Sequence, residues 1–527
     1  MKPITHLLGL FLVFSIFSCQ QEKTKKPNII YIMSDDHTTQ AFGVYGSRLA
    51  GLNPTPTLDK LAADGMYFTN AFCSNSICTP SRATILTGQF GHVNGVYDLD
   101  GHLDESKQYL PKEMKKLGYE TAMIGKWHLK EEPAAFDFYK VLKLQGDYFD
   151  PTFRVRGEKE WPNNTEKHEG HSTDVITDLT LEWLKGRDSE KPFFLMHHYK
   201  APHDMFEYAP RYEDYLADVE IPEPESLFTQ PEFGSEATRG KNDSLIHRIG
   251  TSISSRHVVR NYVQDFKIDT TLSEVEQTKA AYQAYLKKYL RCVKGVDDNL
   301  ARLFKHLEET GEMENTIIIY TGDQGFMLGE HDYMDKRWMY EEAMRMPLIV
   351  RYPEKIKPGT VSTAMVSNCD YAPFMIELAG GKTPEYMQGK SLVPLMDGTK
   401  PADWRKSVYY RYWMHLMHHD NPAHFGIRTE DYKLIFYYAQ PRQTEKIGTP
   451  SMPWKKNSFM IEPTPVAWEL YDLKNDPNEV VNLYGKEGYE EITQSLKAQL
   501  KELRAEVGED DSQFPHIQEV VEAYWDK

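Results

Sequence analysis

Apolar positions along this chain follow two alternating rhythms. Residues Asn28-Ile29-Ile30-Tyr31-Ile32-Met33 and Thr316-Ile317-Ile318-Ile319-Tyr320 are nearly unbroken apolar runs of strand length, which predicts strands covered on both faces. Between them the pattern switches repeatedly. It predicts helices over 58–64 and 175–185 and strands over 120–124 and 193–199. A long amphipathic helix is predicted to start at the capping box Ser273 to Glu276 and to run to about Glu309. Such alternation predicts an α/β fold with a mostly parallel central sheet and helices on both faces. Two stretches break the rhythm. Residues 204–271 read as a long loop interrupted by Pro210, Pro222, Pro224 and Pro231, and such length inside a domain points to function. Beyond Pro401 the pattern becomes short aromatic strands over 408–413, 432–438 and 468–473, followed by a helix over 489–507. This predicts a main domain over 27–400 and a smaller C-terminal α+β subdomain over 401–527.

The N-terminus has its own pattern. Lys2 precedes an apolar run over 7–17, too short to span a bilayer, and Ser18 and Cys19 follow. Residues 1–18 read as a signal peptide, and Ile16-Phe17-Ser18-Cys19 resembles a bacterial lipoprotein cleavage site. Lipidation of Cys19 would leave 20–26 as a polar tether and place the protein at the cell envelope, in the periplasm or on the outer membrane. Membrane contact is then expected only through that lipid. The remaining cysteines, Cys73, Cys78, Cys292 and Cys369, have neither disulfide-framework nor zinc-site spacing.

Composition narrows the function. The 527 residues are 40% hydrophobic and 26% charged, an ordinary globular balance. A net charge of −17 argues against nucleic acid as a partner. An anionic substrate would need a locally positive site.

Two predicted strand ends carry hard oxygen donors: Ser34-Asp35-Asp36-His37 and Thr321-Gly322-Asp323-Gln324-Gly325. In open α/β sheets ligands bind beyond the carboxyl ends of the strands. Carboxylates and an amide oxygen suit Ca²⁺, with Mg²⁺ possible, better than zinc. His37 is left outside this set. The sharpest motif is Cys78-Thr79-Pro80-Ser81-Arg82, ahead of Ala83-Thr84-Ile85-Leu86-Thr87-Gly88. Pro80 and Ser81 suit a helix start and Gly88 its end, so Cys78 would lie at the positive end of a short helix.

Cys-x-Pro-Ser-Arg resembles the signature of the type I sulfatases, formylglycine-dependent members of the alkaline phosphatase superfamily, in particular bacterial polysaccharide sulfatases. The resemblance spans about residues 27–480. It includes Pro27-Asn28-Ile29-Ile30 with Asp35-Asp36, Leu86-Thr87-Gly88, Gly125-Lys126-Trp127-His128, Ala201-Pro202-His203, Gly322-Asp323-Gln324-Gly325, Leu328-Gly329-Glu330-His331 and Asp335-Lys336-Arg337, in family order. It implies that a maturation enzyme, itself a partner, oxidises Cys78 to formylglycine. It further implies a Ca²⁺ held by Asp35, Asp36, Asp323 and Gln324. Arg82 would orient residue 78, Lys126 and Lys336 would bind sulfuryl oxygens, His203 would protonate the leaving oxygen and His128 would take the proton that regenerates the aldehyde. His197 and His198 are rivals to His203 but lie within a predicted strand.

The expected reaction is hydrolysis of sulfate esters on a polysaccharide or its oligosaccharides, an algal glycan such as ulvan or a glycosaminoglycan. An arylsulfatase or phosphoester hydrolase on the same fold, or a noncatalytic glycan-binding protein should Cys78 stay a thiol, are the alternatives. Candidate sugar contacts are His331, His415, His418, His419 and Arg428, with rings and cations suited to sulfated sugars. The basic run Arg239, Lys241, His247, Arg248, Arg256, His257 and Arg260 is a further candidate for remote subsites.

Overall fold

The computed structural model describes residues 26–157, 159–228, 230–245, 249–254, 266–417, 419–446 and 464–527. The predicted leader, Cys19, His418 and five of the loop's basic residues (His247, Arg248, Arg256, His257 and Arg260) lie outside the described residues.

The main sheet has ten strands, in chain order β1 (Asn28–Asp35), β2 (Met66–Phe68), β3 (Glu120–Gly125), β4 (Phe138–Leu142), β5 (Thr152–Val155), β6 (Thr165–Lys167), β7 (Phe193–Pro202), β8 (Thr316–Gly322), β9 (Leu348–Arg351) and β10 (Thr360–Ser362). Their spatial order is β10-β2-β9-β8-β1-β7-β3-β4-β5-β6. The centre, β8-β1-β7-β3-β4, is parallel. Antiparallel pairings flank it at β9 and at β5 and β6.

Strand alternation explains the unbroken apolar runs. In β1, Ile29, Tyr31 and Met33 enter one core and Ile30 and Ile32 the other; in β8, Ile317 and Ile319 face the first and Ile318 and Tyr320 the second. Side chains point alternately to opposite faces, so a strand buried on both must be apolar throughout. Helices cover each face. The first core takes residues from α2 (Cys78–Thr87), α3 (Tyr109–Lys116) and α6 (Tyr371–Leu378). The second takes them from α1 (Pro56–Ala63), α4 (Ser172–Gly186) and the long α5 (Glu274–Glu309). The capping box starts α5 as expected: Ser273 Oγ accepts from the Glu276 backbone N–H while the Glu276 carboxylate accepts from Ser273 N.

A second, four-stranded antiparallel sheet runs β11 (Ser407–Tyr412), β12 (His424–Thr429), β13 (Tyr432–Tyr437), β14 (Ala467–Asp472). It packs under α7 (Glu490–Val507) and α8 (Pro515–Tyr524). Strand β12 and helix α8 are absent from the sequence expectation. His424, Gly426 and Arg428 break the apolar pattern of β12, yet all are buried against the main domain. Buried charges join this subdomain to the main domain: Arg428 Nε donates to Glu341 Oε1 at 3.1 Å, and Lys433 Nζ lies 3.0 Å from Glu341 Oε1.

Several histidines are folded into these cores as neutral rings. Burial pushes His197, His331 and His415 down to about 3, and burial pushes His424 down to about 4. The unfolded chain takes these protons near the ordinary value of about 6.5 while the folded chain refuses them. Their contribution is complete above about pH 6.5 and drains away as pH falls toward 3 to 4. At pH 5 each should cost about 2 kcal/mol relative to pH 8. Thermal unfolding should show a steep fall in Tm below pH 6. His331→Phe, which keeps a ring on Phe233, should make the fall shallower; an identical pH slope in the variant would refute this account.

Candidate active site

Four strand ends and one helix start converge on a cluster of charged side chains. Strand β1 ends in Asp35, and Asp36 turns the chain in the left-handed region with φ 65°. Strand β8 ends at Gly322 and delivers Asp323 and Gln324; a Cβ on Gly322 would meet the His37 carbonyl oxygen at 2.7 Å. Strand β3 ends at Gly125, where φ is 106° and a Cβ would lie 1.8 Å from the His198 carbonyl oxygen. Only glycine permits that approach, and it turns Lys126 inward. Strand β7 ends at Pro202 and hands on His203.

Helix α2 begins at Cys78 itself, two residues before the predicted start, and is buried over its whole length. Gly88 closes it with φ 65°. Arg82, one turn into α2, ties the strand ends together. Its Nε donates to Asp323 Oδ2 at 3.0 Å, its Nη1 to the Lys126 carbonyl at 2.7 Å, and its Nη2 lies 3.4 Å from Asp35 Oδ1. Ser81 Oγ donates to the Asp323 carbonyl and accepts from Asn368 Nδ2 at 2.9 Å.

The two lysines named from the sequence point into the same cluster. Lys126 Nζ pairs with Asp35 and donates to Gln145 Oε1 at 2.5 Å. Lys336 Nζ donates to both Asp36 oxygens, at 2.7 and 2.5 Å. His203 Nε2 lies 3.7 Å from Asp36 Oδ2, while its Nδ1 is 2.6 Å from Asp204 Oδ1. His128 is held through Thr79, whose Oγ1 donates to the His128 carbonyl at 3.1 Å and lies 3.5 Å from its Nδ1.

Burial and charge set the protonation states. Burial opposes the charge on Asp35, but Lys126, His203 and Arg82 hold it well below the usual carboxylate range. Burial and the Asp35 charge push Asp323 up to about 6. Burial opposes the Lys336 charge, but Asp36 and neighbouring anions keep it protonated. Burial and the Lys126 charge drive His128 well down, so it is neutral and can accept a proton. The same two causes bring His203 to about 4. Burial and Asp35 push the Cys78 thiol well up, which leaves it without thiolate character at neutral pH.

The donor set fits a hard divalent cation. One oxygen from each of Asp35, Asp36 and Asp323 lies within 4.8 Å of the others, all buried. Gln324 Oε1 is buried with no hydrogen-bond partner among the described residues, and its Nε2 lies 4.0 Å from Cys78 Sγ. Three carboxylates balance Arg82, Lys126 and Lys336, so the cluster is formally neutral. A divalent cation would relieve the repulsion among the carboxylates and leave the site positive, as an anionic substrate requires.

The other expected site residues are placed differently. His37 lies outside the cluster, as expected: its Nδ1 is 2.5 Å from Tyr320 Oη and its ring stacks on Phe42. His197 and His198 are core residues, bonded to Thr180 Oγ1 and to the Lys126 carbonyl. His331 stacks on Phe233 with ring centroids 3.9 Å apart, His415 accepts from Ala423 N, and Arg428 is engaged by Glu341. All three are buried and make these contacts within the protein. His419 is buried as well, and its Nδ1 lies 2.8 Å from Asp335 Oδ2, in the segment that carries Lys336. Gln145, Asp204, Asn368 and Tyr289, whose hydroxyl donates to the Asp36 carbonyl at 2.8 Å, also belong to the site's surroundings. No local motif marks them.

Residues 27–381 match the family described as Sulfatase, and residues 329–464 and 454–506 match the C-terminal region of N-sulphoglucosamine sulphohydrolase. The chain is 39% identical to an N-acetylglucosamine-6-O-sulfatase of Bacteroides thetaiotaomicron, over 97% of this chain and 92% of that one. It is 26% identical to an ulvan-active sulfatase of Formosa agariphila, over 95% and 87%. A structure solved in complex with its substrate D-glucosamine-2-N,6-O-disulfate superimposes with a TM-score of 0.78 at 37% identity, covering 92% of this chain and 98% of that one. Given a family match over more than half its length and a relative this similar along nearly all of it, the chain belongs to the sulfatase family and is a sulfuric ester hydrolase.

Proposed function

We propose that this sulfatase removes the 6-O-sulfate of a glucosamine-type sugar in an oligosaccharide of the glycosaminoglycan class, using formylglycine at position 78 and a bound Ca²⁺. The observation that carries the reading is that Asp35 belongs to two buried groups at once, one with Cys78 and His203 and one with Asp36 and Asp323. The named substrates of the similar proteins support the choice of sugar.

A sulfate monoester resists hydrolysis because its oxygens repel nucleophiles and its alkoxide leaves poorly. The site must neutralise those oxygens, present a nucleophile and protonate the leaving oxygen. Ca²⁺ held by Asp35, Asp36, Asp323 and Gln324 would supply Lewis acidity toward a sulfuryl oxygen. The aldehyde hydrate at residue 78 would supply one hydroxyl for attack and a second for release, which a thiol lacks. Arg82, anchored on Asp323 and Lys126, fixes the orientation of α2 and hence of residue 78. Lys126 and Lys336 turn from their carboxylates to the sulfuryl oxygens. His203, whose protonation the arriving sulfate charge and Asp204 favour, donates its proton to the leaving oxygen. His128, neutral and buried, takes the proton from the second hydroxyl. His419, held by Asp335, is the proposed sugar contact beside Lys336. The N-terminal leader and Cys19 support a lipid-anchored enzyme at the cell envelope.

Produced with a maturation enzyme, the peptide containing residue 78 should carry an aldehyde in place of the thiol by mass spectrometry. Cys78→Ser and Cys78→Ala should keep the wild-type Tm and lose at least about a thousandfold in kcat. Sulfate release by either variant, or full activity with an intact thiol, would overturn the mechanism.

Chelation should abolish turnover and lower Tm, and added Ca²⁺ should restore both by mass action. In Asp36→Asn the Ca²⁺-dependent rise in Tm should be lost or greatly reduced. A Tm indifferent to chelator and Ca²⁺ in the wild type would remove the cation from the proposal.

A further inference from the structure

The loop after β4 brings a side chain into the cluster that none of the motifs predicts. Gln145 Oε1 accepts from Lys126 Nζ at 2.5 Å, and Lys126 in turn pairs with Asp35. The loop is bent to deliver it. Leu144 before it adopts φ 55°, and Gly146 after it φ 76°, with a hypothetical Cβ only 2.7 Å from Leu142 Cδ1. A leucine in the left-handed region is held against its own preference. Gln145 is half-buried, and its Nε2 makes no hydrogen bond among the described residues. With Oε1 fixed by an ammonium, which can only donate, the amide's orientation is determined and Nε2 is a free donor.

The surroundings fit a sugar ring. Leu144 is 60% exposed, Phe149 45% and Met205 40%. Each adjoins the site in sequence: Leu144 precedes Gln145, Phe149 follows Tyr148, whose hydroxyl donates to the His203 carbonyl, and Met205 follows Asp204. The exposed apolar Leu144 next to a free amide donor suits the mixed C–H and hydroxyl surface of a pyranose.

We propose that Gln145 is a specificity-determining residue that donates from Nε2 to an oxygen substituent of the sugar bearing the scissile sulfate, while its Oε1 sets the position of Lys126. The proposal rests on the sulfated-sugar reading above. A phenyl sulfate has the scissile group but no sugar oxygen, and this separates the two duties of the side chain.

The test compares kcat/KM of the matured, Ca²⁺-loaded wild type, Gln145→Ala and Gln145→Glu on glucosamine 6-sulfate and on a nitrophenyl sulfate, with Tm as the folding control. Gln145→Ala, which also releases Lys126, should lose on both substrates but at least tenfold more on the sugar sulfate than on the nitrophenyl ester. Gln145→Glu, which retains the Lys126 contact but has no donor, should lose at least as much on the sugar. Equal losses on both substrates would mean that Gln145 acts only through Lys126, and unchanged kinetics would mean that it does not act at all; either overturns the proposal. Should the wild type release no sulfate from the sugar but hydrolyse the nitrophenyl ester, the substrate reading fails, and with it the basis of this inference.

Discussion

The structure depends on holding like charges together out of water. Asp35, Asp36 and Asp323 lie within one small buried volume, and an isolated buried carboxylate would either protonate or destabilise the fold. Arg82, Lys126 and Lys336, all buried, supply the opposing charge. Neither set would be tolerated alone. Their balance is what lets a site of this charge density sit at the ends of buried, mostly apolar strands.

The sheet makes that balance geometrically exact enough to be useful. Parallel strands β8, β1, β7 and β3 end side by side, so residues distant in sequence leave the sheet within a few ångströms of one another. Glycines at the ends of β3 and β8 let the chain turn against neighbouring carbonyls where no side chain would fit. Helix α5 contributes from the second core: Tyr289 reaches the Asp36 carbonyl and fixes a left-handed aspartate that would otherwise be costly. Packing on both faces thus supports the precision that acid-base and electrostatic catalysis requires.

Strands and helices with strong periodicity were legible in the sequence: β1 and β8 from their continuous apolar runs, α5 from its capping box. Strand β12 was not, because His424, Gly426 and Arg428 interrupt the pattern. Their burial depends on ring stacking and on Glu341, contacts supplied by other segments. The same limit applies to the candidate histidines. A histidine in the sequence carries no mark of whether it will stack on Phe233, as His331 does, or pair with Asp335, as His419 does.

The sequence by itself determined the reaction class, because the motifs that mark the family sit in short contiguous runs at strand ends and at the start of α2. The order of buried and exposed positions likewise determined the layered fold. What only the tertiary structure decided is which residues support and surround those motifs: Gln145 on Lys126, Asp204 on His203, Asn368 on Ser81. These contacts join positions from separate elements or turn on the local backbone path. Hydrogen bonds and ion pairs act over a few ångströms of space, and spacing along the chain does not measure that distance.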